Sequence, residues 1–156
     1  MSYAASPVST GAIDKLRRAD LAQLEALLRA NHLPAEDCAE LARHCCASYQ
    51  GDELIAAGVI EPVAQYGLLR SIVVREDHRG RGLAGRIISH LLDQARDEGR
   101  VAIYLLTETA QTYFAGLGFV PMARADVPKA VSRTRQFASL CPDSASCMYL
   151  PLQRDK

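Results

Sequence analysis

The feature that most constrains the fold is a glycine-rich turn, Arg79-Gly80-Arg81-Gly82-Leu83-Ala84-Gly85, which separates an apolar run from an amphipathic one. The apolar run, residues 66–74, has the length and the β-branched content of a strand. From Ala84 onward apolar residues recur at helical spacing, which predicts a helix that ends at Gly99. Unpaired backbone N–H groups at a helix start carry the positive end of the helix dipole. The turn is therefore typical of a site that binds a pyrophosphate.

The glycine spacing also satisfies a second pattern, the dinucleotide-binding one. Gly80, Gly82 and Gly85 match its three glycines, and Glu108 stands about 20 residues further on, where a ribose contact is expected. In that fold the first glycine follows the strand directly, whereas here the five residues 75–79 intervene. A predicted hairpin also precedes the strand, and little chain follows for the usual parallel halves. We therefore rank the dinucleotide interpretation second.

The remaining patterns predict alternating strands and helices. Further strands are expected near residues 12–16, 45–50, 54–60, 101–106, 119–124 and 147–152. Further helices are expected after Asp20, over 35–43 and over 110–117, with a helix or turn over 129–137. A meander followed by a strand-helix-strand unit predicts one α/β domain over residues 12–152. Residues 1–11 are expected to be a flexible lead-in and 153–156 a tail.

Charge and cysteine usage narrow the class of protein. The 18 basic residues equal the 18 acidic ones, so no positive field favours a nucleic acid or an anionic membrane. No run approaches the length of a membrane span, and the N-terminal residues do not resemble a signal peptide, so we expect a cytoplasmic protein. The cysteines are odd in number and follow no zinc pattern: Cys38, Cys45, Cys46, Cys141 and Cys147. The histidines are scattered, so we expect no metal site.

Two motifs resemble those of a known family. Arg79 to Ala84 is similar to the Arg/Gln-x-x-Gly-x-Gly/Ala signature of the GNAT superfamily of acyl-CoA N-acyltransferases, and Leu117-Gly118-Phe119 is similar to its Leu-Gly-Phe element. The resemblance implies a single-domain GNAT fold, with a mixed, mostly antiparallel central sheet flanked by helices. It also implies a splayed pair of parallel central strands and acetyl-CoA as the co-substrate.

The same resemblance implies which residues bind acetyl-CoA. Backbone groups of Ile72 and Val74 would pair with the pantetheine arm, and an N–H near Val73 or Val74 would polarise the thioester carbonyl. The pyrophosphate would lie against Arg79, Gly80, Arg81, Gly82, Leu83, Ala84 and Gly85. The two arginines have a simpler alternative as solvated charges. Thr107 is expected to contact cofactor or substrate, or to cap the next helix.

The groups that move protons are less well defined by the sequence. Many members of the family carry a tyrosine four residues before the Gly of Leu-Gly-Phe as the acid for the departing thiolate, but here that position is Phe114. Tyr113 is adjacent but points about 100° away on a helix, so it does not simply take the place of that tyrosine. Packing in the core is its alternative role, and water is the alternative acid for the thiolate. Glu61, at the end of a hairpin strand, is the candidate base, with simple solvation as the alternative.

The C-terminal part of the chain suggests the acceptor. It resembles small bacterial acetyltransferases of the ArsN type, associated with arsenic resistance, and more loosely the acetyltransferase domain of N-acetylglutamate synthases. Both imply transfer to the primary amine of a small amino-acid-like acceptor, with Arg70, Arg133 and Arg135 available to bind a carboxylate or an oxyanion. Protein, peptide or polyamine acetylation and a non-catalytic acyl-CoA sensor remain alternatives. We expect a monomer or homodimer, and Cys141 and Cys147 as buried small side chains rather than an arsenic site.

Overall fold

The structure is a computed structural model that describes residues 12–140 and 144–152. The strands are β1 (Asp14–Lys15), β2 (Cys45–Gln50), β3 (Glu53–Val63), β4 (Tyr66–Val74), β5 (Ala102–Thr107), β6 (Val120–Pro121) and β7 (Ser146–Pro151). The α-helices are α1 (Leu21–Ala30), α2 (Cys38–Leu41), α3 (Leu83–Asp97), α4 (Gln111–Gly116) and α5 (Lys129–Ser132). Short 3-10 helices cover Arg18–Asp20, Ala42–His44, Glu76–His78 and Arg124–Asp126, and a π-helical segment covers Gln136–Leu140. None of the described helices is long and apolar enough to cross a membrane.

The described strands form one seven-stranded sheet in the order β1-β2-β3-β4-β5-β7-β6. Antiparallel pairs join β1 to β2, β2 to β3, β5 to β7 and β6 to β7. The strands β4 and β5, at the centre, pair in parallel. This is the mixed, mostly antiparallel sheet that the sequence predicts.

The parallel pairing of β4 with β5 is short. It joins Tyr66 to Ala102, Gly67 to Ile103 and Leu68 to Tyr104, although β4 continues to Val74 and β5 to Thr107. Three residues after the last pair, Ser71 has a φ of 59°. A non-glycine residue in the left-handed region is uncommon and interrupts a regular strand. Ser71 is therefore an irregular position within β4, directly before its last three residues.

Contacts between residues divide the chain into two compact units. The first contains the chain up to Ile60 together with Ser71–Gln94, and the second contains Glu61–Arg70 and the chain from Ala95 onward. In the first unit, the apolar face of α1 packs with β2 and β3. The leucine spacing that predicts this helix is borne out, because Leu24, Leu27 and Leu28 all lie in its core.

Gly58 of β3 allows α3 to approach the sheet closely. A Cβ atom at this position would lie 2.4 Å from Cδ1 of Ile72 and 2.7 Å from Cγ2 of Ile87. Both distances are shorter than van der Waals contact, so only glycine fits without movement of these side chains. The close packing fixes α3, and with it the glycine-rich turn at its start.

The second unit has its own apolar core around β5 and β7. Its buried members are Val63, Leu68, Ala102, Tyr104, Val127, Val131, Phe137 and Cys147. Tyr104 stacks on Tyr149 with ring centroids 5.7 Å apart, across the antiparallel pair of strands.

Several predicted bounds differ from the structure. The strand expected over 119–124 is reduced to Val120–Pro121, because Pro121 has no N–H for a longer ladder and the chain then enters the 3-10 helix Arg124–Asp126. The helix expected over 35–43 shortens to Cys38–Leu41, and the one over 129–137 ends at Ser132. Tertiary packing overrides weak local propensity at each of these places.

Candidate functional site

The glycine-rich turn adopts backbone conformations that require glycine at two positions. Gly80 has a φ of +80° and Gly82 a φ of +77°, and no atom lies within 4 Å of a Cβ built on either residue. The carbonyl of Gly82 accepts the N–H of Arg86 at 3.1 Å, so α3 begins here and the N–H groups of residues 83–85 have no acceptor within the helix. N–H groups of this kind at a helix start are typical of a phosphate-binding site.

The two arginines of the turn differ in their surroundings. Arg79 donates from Nε to the carbonyl oxygen of Val74 at 3.3 Å, and from NH2 to the side-chain oxygen of Asn31 at the end of α1. Arg81 is exposed. Arg79 therefore fastens the turn to its own chain, whereas the guanidinium of Arg81 projects into solvent.

The residues just before the glycines form a network that the sequence does not predict. Arg75 binds both carboxylate oxygens of Asp77, at 2.7 and 3.1 Å, and reaches Glu53 of β3 at 2.9 Å. The ring of His78 bonds to Asp77 at 2.9 Å and to Gln50 of β2 at 3.1 Å. The guanidinium and the ring hold the pKa of the Asp77 carboxyl well below its usual range. The carboxyl is thus ionised throughout the physiological pH range.

The end of β4 presents the predicted pantetheine residues. Val73 is buried in the core of the first unit, while Ile72 and Val74 are half-buried. All three follow the left-handed Ser71 and lie beyond the residues of β4 that pair with β5. No sequence signal marks Ser71, since serine has no preference for a positive φ.

Glu61 and Arg70, in the second unit, form an ion pair. One guanidinium nitrogen of Arg70 lies 3.1 Å from Oε1 of Glu61. The side chain of Arg70 is 2% exposed and that of Glu61 is 26% exposed. A buried guanidinium requires a counter-charge, and Glu61 supplies it while keeping part of its carboxylate accessible. The sequence predicts a separate role for each residue and does not predict the pair.

The region of α4 contains the other candidates for proton transfer and cofactor contact. Thr107 accepts the N–H of Ala110 on Oγ1 at 3.1 Å, a bond to the residue that precedes α4 and not to a donor within its first turn. Phe114 is half-buried and packs edge-to-face on Phe119, with centroids 5.6 Å apart. Tyr113 is 44% exposed, and partial burial of its ring raises the pKa of its phenol. That phenol keeps its proton at neutral pH.

The arginines expected to bind the acceptor lie in different settings. Arg133 and Arg135 are exposed and follow the end of α5, whereas Arg70 is buried against Glu61. Gln136, the residue directly after Arg135, is buried. Of the three arginines, Arg133 and Arg135 are the exposed ones, and Arg135 already takes part in an interaction within the chain.

The described cysteines all lie in the interior of the protein. Cys38, Cys45, Cys46 and Cys147 are buried and belong to no disulfide bond. Burial raises the pKa of Cys46 to about 11 and also raises that of Cys147. Cys141 lies outside the described residues. Among residues 12–140 and 144–152, no group of three or more metal-binding side chains is gathered in one place.

Comparison with known proteins decides the family. Residues 13–119 match the acetyltransferase (GNAT) family. The chain belongs to this family. The match confirms the predicted fold and the predicted class of enzyme, an acetyltransferase, and with that class the acetyl-CoA co-substrate.

Three relatives illustrate the likeness of this GNAT protein. An uncharacterized N-acetyltransferase of Bacillus subtilis, YobR, is 32% identical over 79 residues, which make up 48% of this chain and 32% of that protein. The chain thus matches about a third of that relative's length. Rv2747 of Mycobacterium tuberculosis, solved in complex with CoA, has a TM-score of 0.78 at 19% identity and covers 91% of this chain and 99% of its own. N-acetylglutamate synthase of Neisseria gonorrhoeae, solved with coenzyme A and N-acetyl-glutamate, has a TM-score of 0.80 at 17% identity, covering 92% of this chain and 35% of that one.

Proposed function

We propose that this GNAT protein transfers the acetyl group of acetyl-CoA to the primary amine of a small amino-acid-like acceptor. The observation that carries the proposal is the turn before α3. Gly80 and Gly82 have left-handed backbones with open space at their Cβ positions, directly before the unpaired N–H groups of a 15-residue helix. A pyrophosphate complements these groups in charge and can accept their hydrogen bonds.

The pantetheine arm would extend along the backbone of Ile72 to Val74. Support comes from the short parallel pairing of β4 and from Ser71, whose φ of 59° makes the strand irregular directly before these residues. An extended amide chain binds such a strand through main-chain hydrogen bonds. Arg81, exposed at the turn, would pair with a phosphate, while Arg79 would act through its bonds to Val74 and Asn31.

The reaction would proceed by direct attack on the thioester. The neutral amine attacks the carbonyl carbon, the C–N bond forms, the C–S bond breaks, and CoA leaves as a thiolate. Glu61 would take the proton that the acceptor's ammonium loses, since its carboxylate is partly exposed and fixed on one oxygen by Arg70. As the amide forms, the nitrogen loses its second proton to water, and the thiolate takes up one proton from water or from the phenol of Tyr113, which water then reprotonates.

An acceptor with a carboxylate would be recognised by Arg133 and Arg135. Both guanidinium groups are exposed, and a guanidinium matches the geometry of a carboxylate. The fold shared with N-acetylglutamate synthase, whose complex contains N-acetyl-glutamate, supports an amino acid as the acceptor. The ArsN-type resemblance suggests an arsenic-bearing amino-acid analogue as the acceptor. Such a compound carries the same primary amine and carboxylate as an amino acid. Buried thiols that belong to no disulfide bond on the described cysteines support a cytoplasmic location.

The test is a screen for CoA release from acetyl-CoA with the purified protein. Acceptor candidates are amino acids of each charge, an arsenic-bearing amino-acid analogue, a polyamine and a peptide with a free N-terminus. We expect turnover with an amino acid or its analogue. Preferred turnover of the polyamine or the peptide would instead identify a cationic or protein acceptor.

A second candidate function, an acyl-CoA sensor without turnover, is favoured by one observation. The position where many family members carry a tyrosine acid is Phe114, which packs on Phe119. CoA binding by calorimetry with no CoA release for any acceptor in the screen would favour the sensor.

A further inference from the structure

We propose that Asp77 and His78 are positioning residues for acetyl-CoA: they hold the segment before Gly80 and Gly82 against the β2–β3 hairpin. The inference rests on the proposed cofactor site and concerns residues that do not touch the cofactor.

The network joins the turn to the hairpin at three points. The N–H of Arg75 donates to the carbonyl of Ile55 at 2.7 Å, and its guanidinium reaches Glu53 at 2.9 Å. The third point is Nε2 of His78, which lies 3.1 Å from the side-chain oxygen of Gln50. Two of these bonds come from side chains that Asp77 itself orients.

Asp77 is the centre of the network. It binds Arg75 through both carboxylate oxygens, and one of them also bonds to Nδ1 of His78 at 2.9 Å. A bidentate guanidinium pair fixes both partners in direction as well as distance. The His78 ring is buried, although Asp77 is largely exposed. Removing the Asp77 carboxylate therefore releases two oriented side chains without opening the core.

The network directly precedes two glycines, whose backbones have more conformational freedom than those of other residues. Gly80 and Gly82 follow His78 within four residues, and glycine populates left- and right-handed conformations about equally. A glycine pair with no anchor upstream would sample many positions of its N–H groups. The bonds at positions 75–78 supply that anchor together with those of Arg79 to Val74 and Asn31, so the N–H groups at the start of α3 are ordered before the phosphates arrive.

A positioning role and a purely electrostatic role of Asp77 predict opposite changes in the affinity for acetyl-CoA when its carboxylate is removed. Acetyl-CoA is anionic, so loss of a nearby carboxylate favours its binding by simple electrostatics. Loss of positioning weakens its binding. The sign of the change in affinity therefore distinguishes a positioning role from an electrostatic or indifferent one.

The experiment compares Asp77→Ala with Glu76→Ala in the full chain. Glu76 is the exposed neighbour, carries the same charge and contributes no side chain to the network. We expect Asp77→Ala to raise the KM for acetyl-CoA and the Kd for CoA by roughly fivefold to tenfold. A change of this size is what the loss of about one positioning contact would produce. The acceptor KM should not change, and Asp77→Asn should recover part of the loss because it keeps an acceptor oxygen. Glu76→Ala should bind CoA as the wild type does or slightly more tightly.

A second variant, His78→Phe, keeps the buried ring and removes both of its hydrogen bonds. It should raise the Kd for CoA in the same direction, and Asp77→Ala decides the matter if this variant does not fold. An unchanged or lowered Kd for CoA in Asp77→Ala overturns the inference. A wild-type protein that binds no CoA would instead refute the proposed function itself.

Discussion

Replacing Gly82 with aspartate should abolish acetyl-CoA binding and leave the protein folded. Gly82 stands one residue before α3, and Gly99 stands two residues after its end. Their φ angles are +77° and +80°, and neither has an atom within 4 Å of a built Cβ. Gly99→Asp is therefore a matched control, since the two changes share the backbone strain, the new side chain and the new charge.

The magnitudes follow from position on the helix. A left-handed backbone costs a residue with a side chain about 1–2 kcal/mol, and aspartate tolerates it better than most. At the start of α3 the carboxylate gains about 0.3–1 kcal/mol from the helix dipole, and past the end it loses a similar amount. Gly82→Asp should thus cost about 0–2 kcal/mol of unfolding free energy and Gly99→Asp about 1–3 kcal/mol. Both costs are well within a typical stability of about 5–15 kcal/mol.

The loss of CoA affinity should be larger in Gly82→Asp than in Gly99→Asp, although Gly99→Asp is expected to lose more stability. In Gly82→Asp the carboxylate occupies the space and takes the N–H groups that the pyrophosphate needs, so CoA affinity should fall by at least about 100-fold. Gly99→Asp, the less stable variant, should retain wild-type affinity. Calorimetry with CoA measures the Kd, and urea unfolding measures the stability. If Kd follows stability, or if Gly82→Asp binds CoA normally, the pyrophosphate does not lie at this turn.

Three further changes test other parts of the structure. Gly58→Ala should lower the free energy of unfolding by about 1–3 kcal/mol, because its methyl group would overlap Ile72; thermal unfolding at an unchanged midpoint would contradict this packing. Phe114→Tyr should leave kcat similar or raise it modestly if an added phenol serves the thiolate, whereas a large loss would show that Phe114 is needed for packing. Arg133→Met should raise the acceptor KM and leave the acetyl-CoA KM unchanged, and wild-type kinetics for the acceptor would remove Arg133 from its recognition.

The sequence predicts best where local pattern and backbone chemistry agree. The spacing of apolar residues after Ala84 predicts α3, and the glycines before it mark the turn in which Gly80 and Gly82 adopt left-handed backbones. The bounds are poorer where tertiary packing decides, as in the strand expected over 119–124, of which only Val120–Pro121 forms. The left-handed Ser71 has no signal in the sequence at all, because the sheet rather than the residue type imposes its conformation.

The ion pair of Glu61 with Arg70 shows why the candidate site is harder to predict than the fold. The two residues are nine positions apart on β3 and β4, so neither motif nor helical spacing connects them. Considered separately, an arginine suggests carboxylate binding and a glutamate suggests solvation or proton transfer. Burial changes both expectations, since a guanidinium that is 2% exposed must keep its counter-ion, and that counter-ion is the candidate base. The role of Arg70 in acceptor recognition is thus tied to Glu61, because any acceptor group that reached the buried guanidinium would have to share it with, or take it from, this carboxylate.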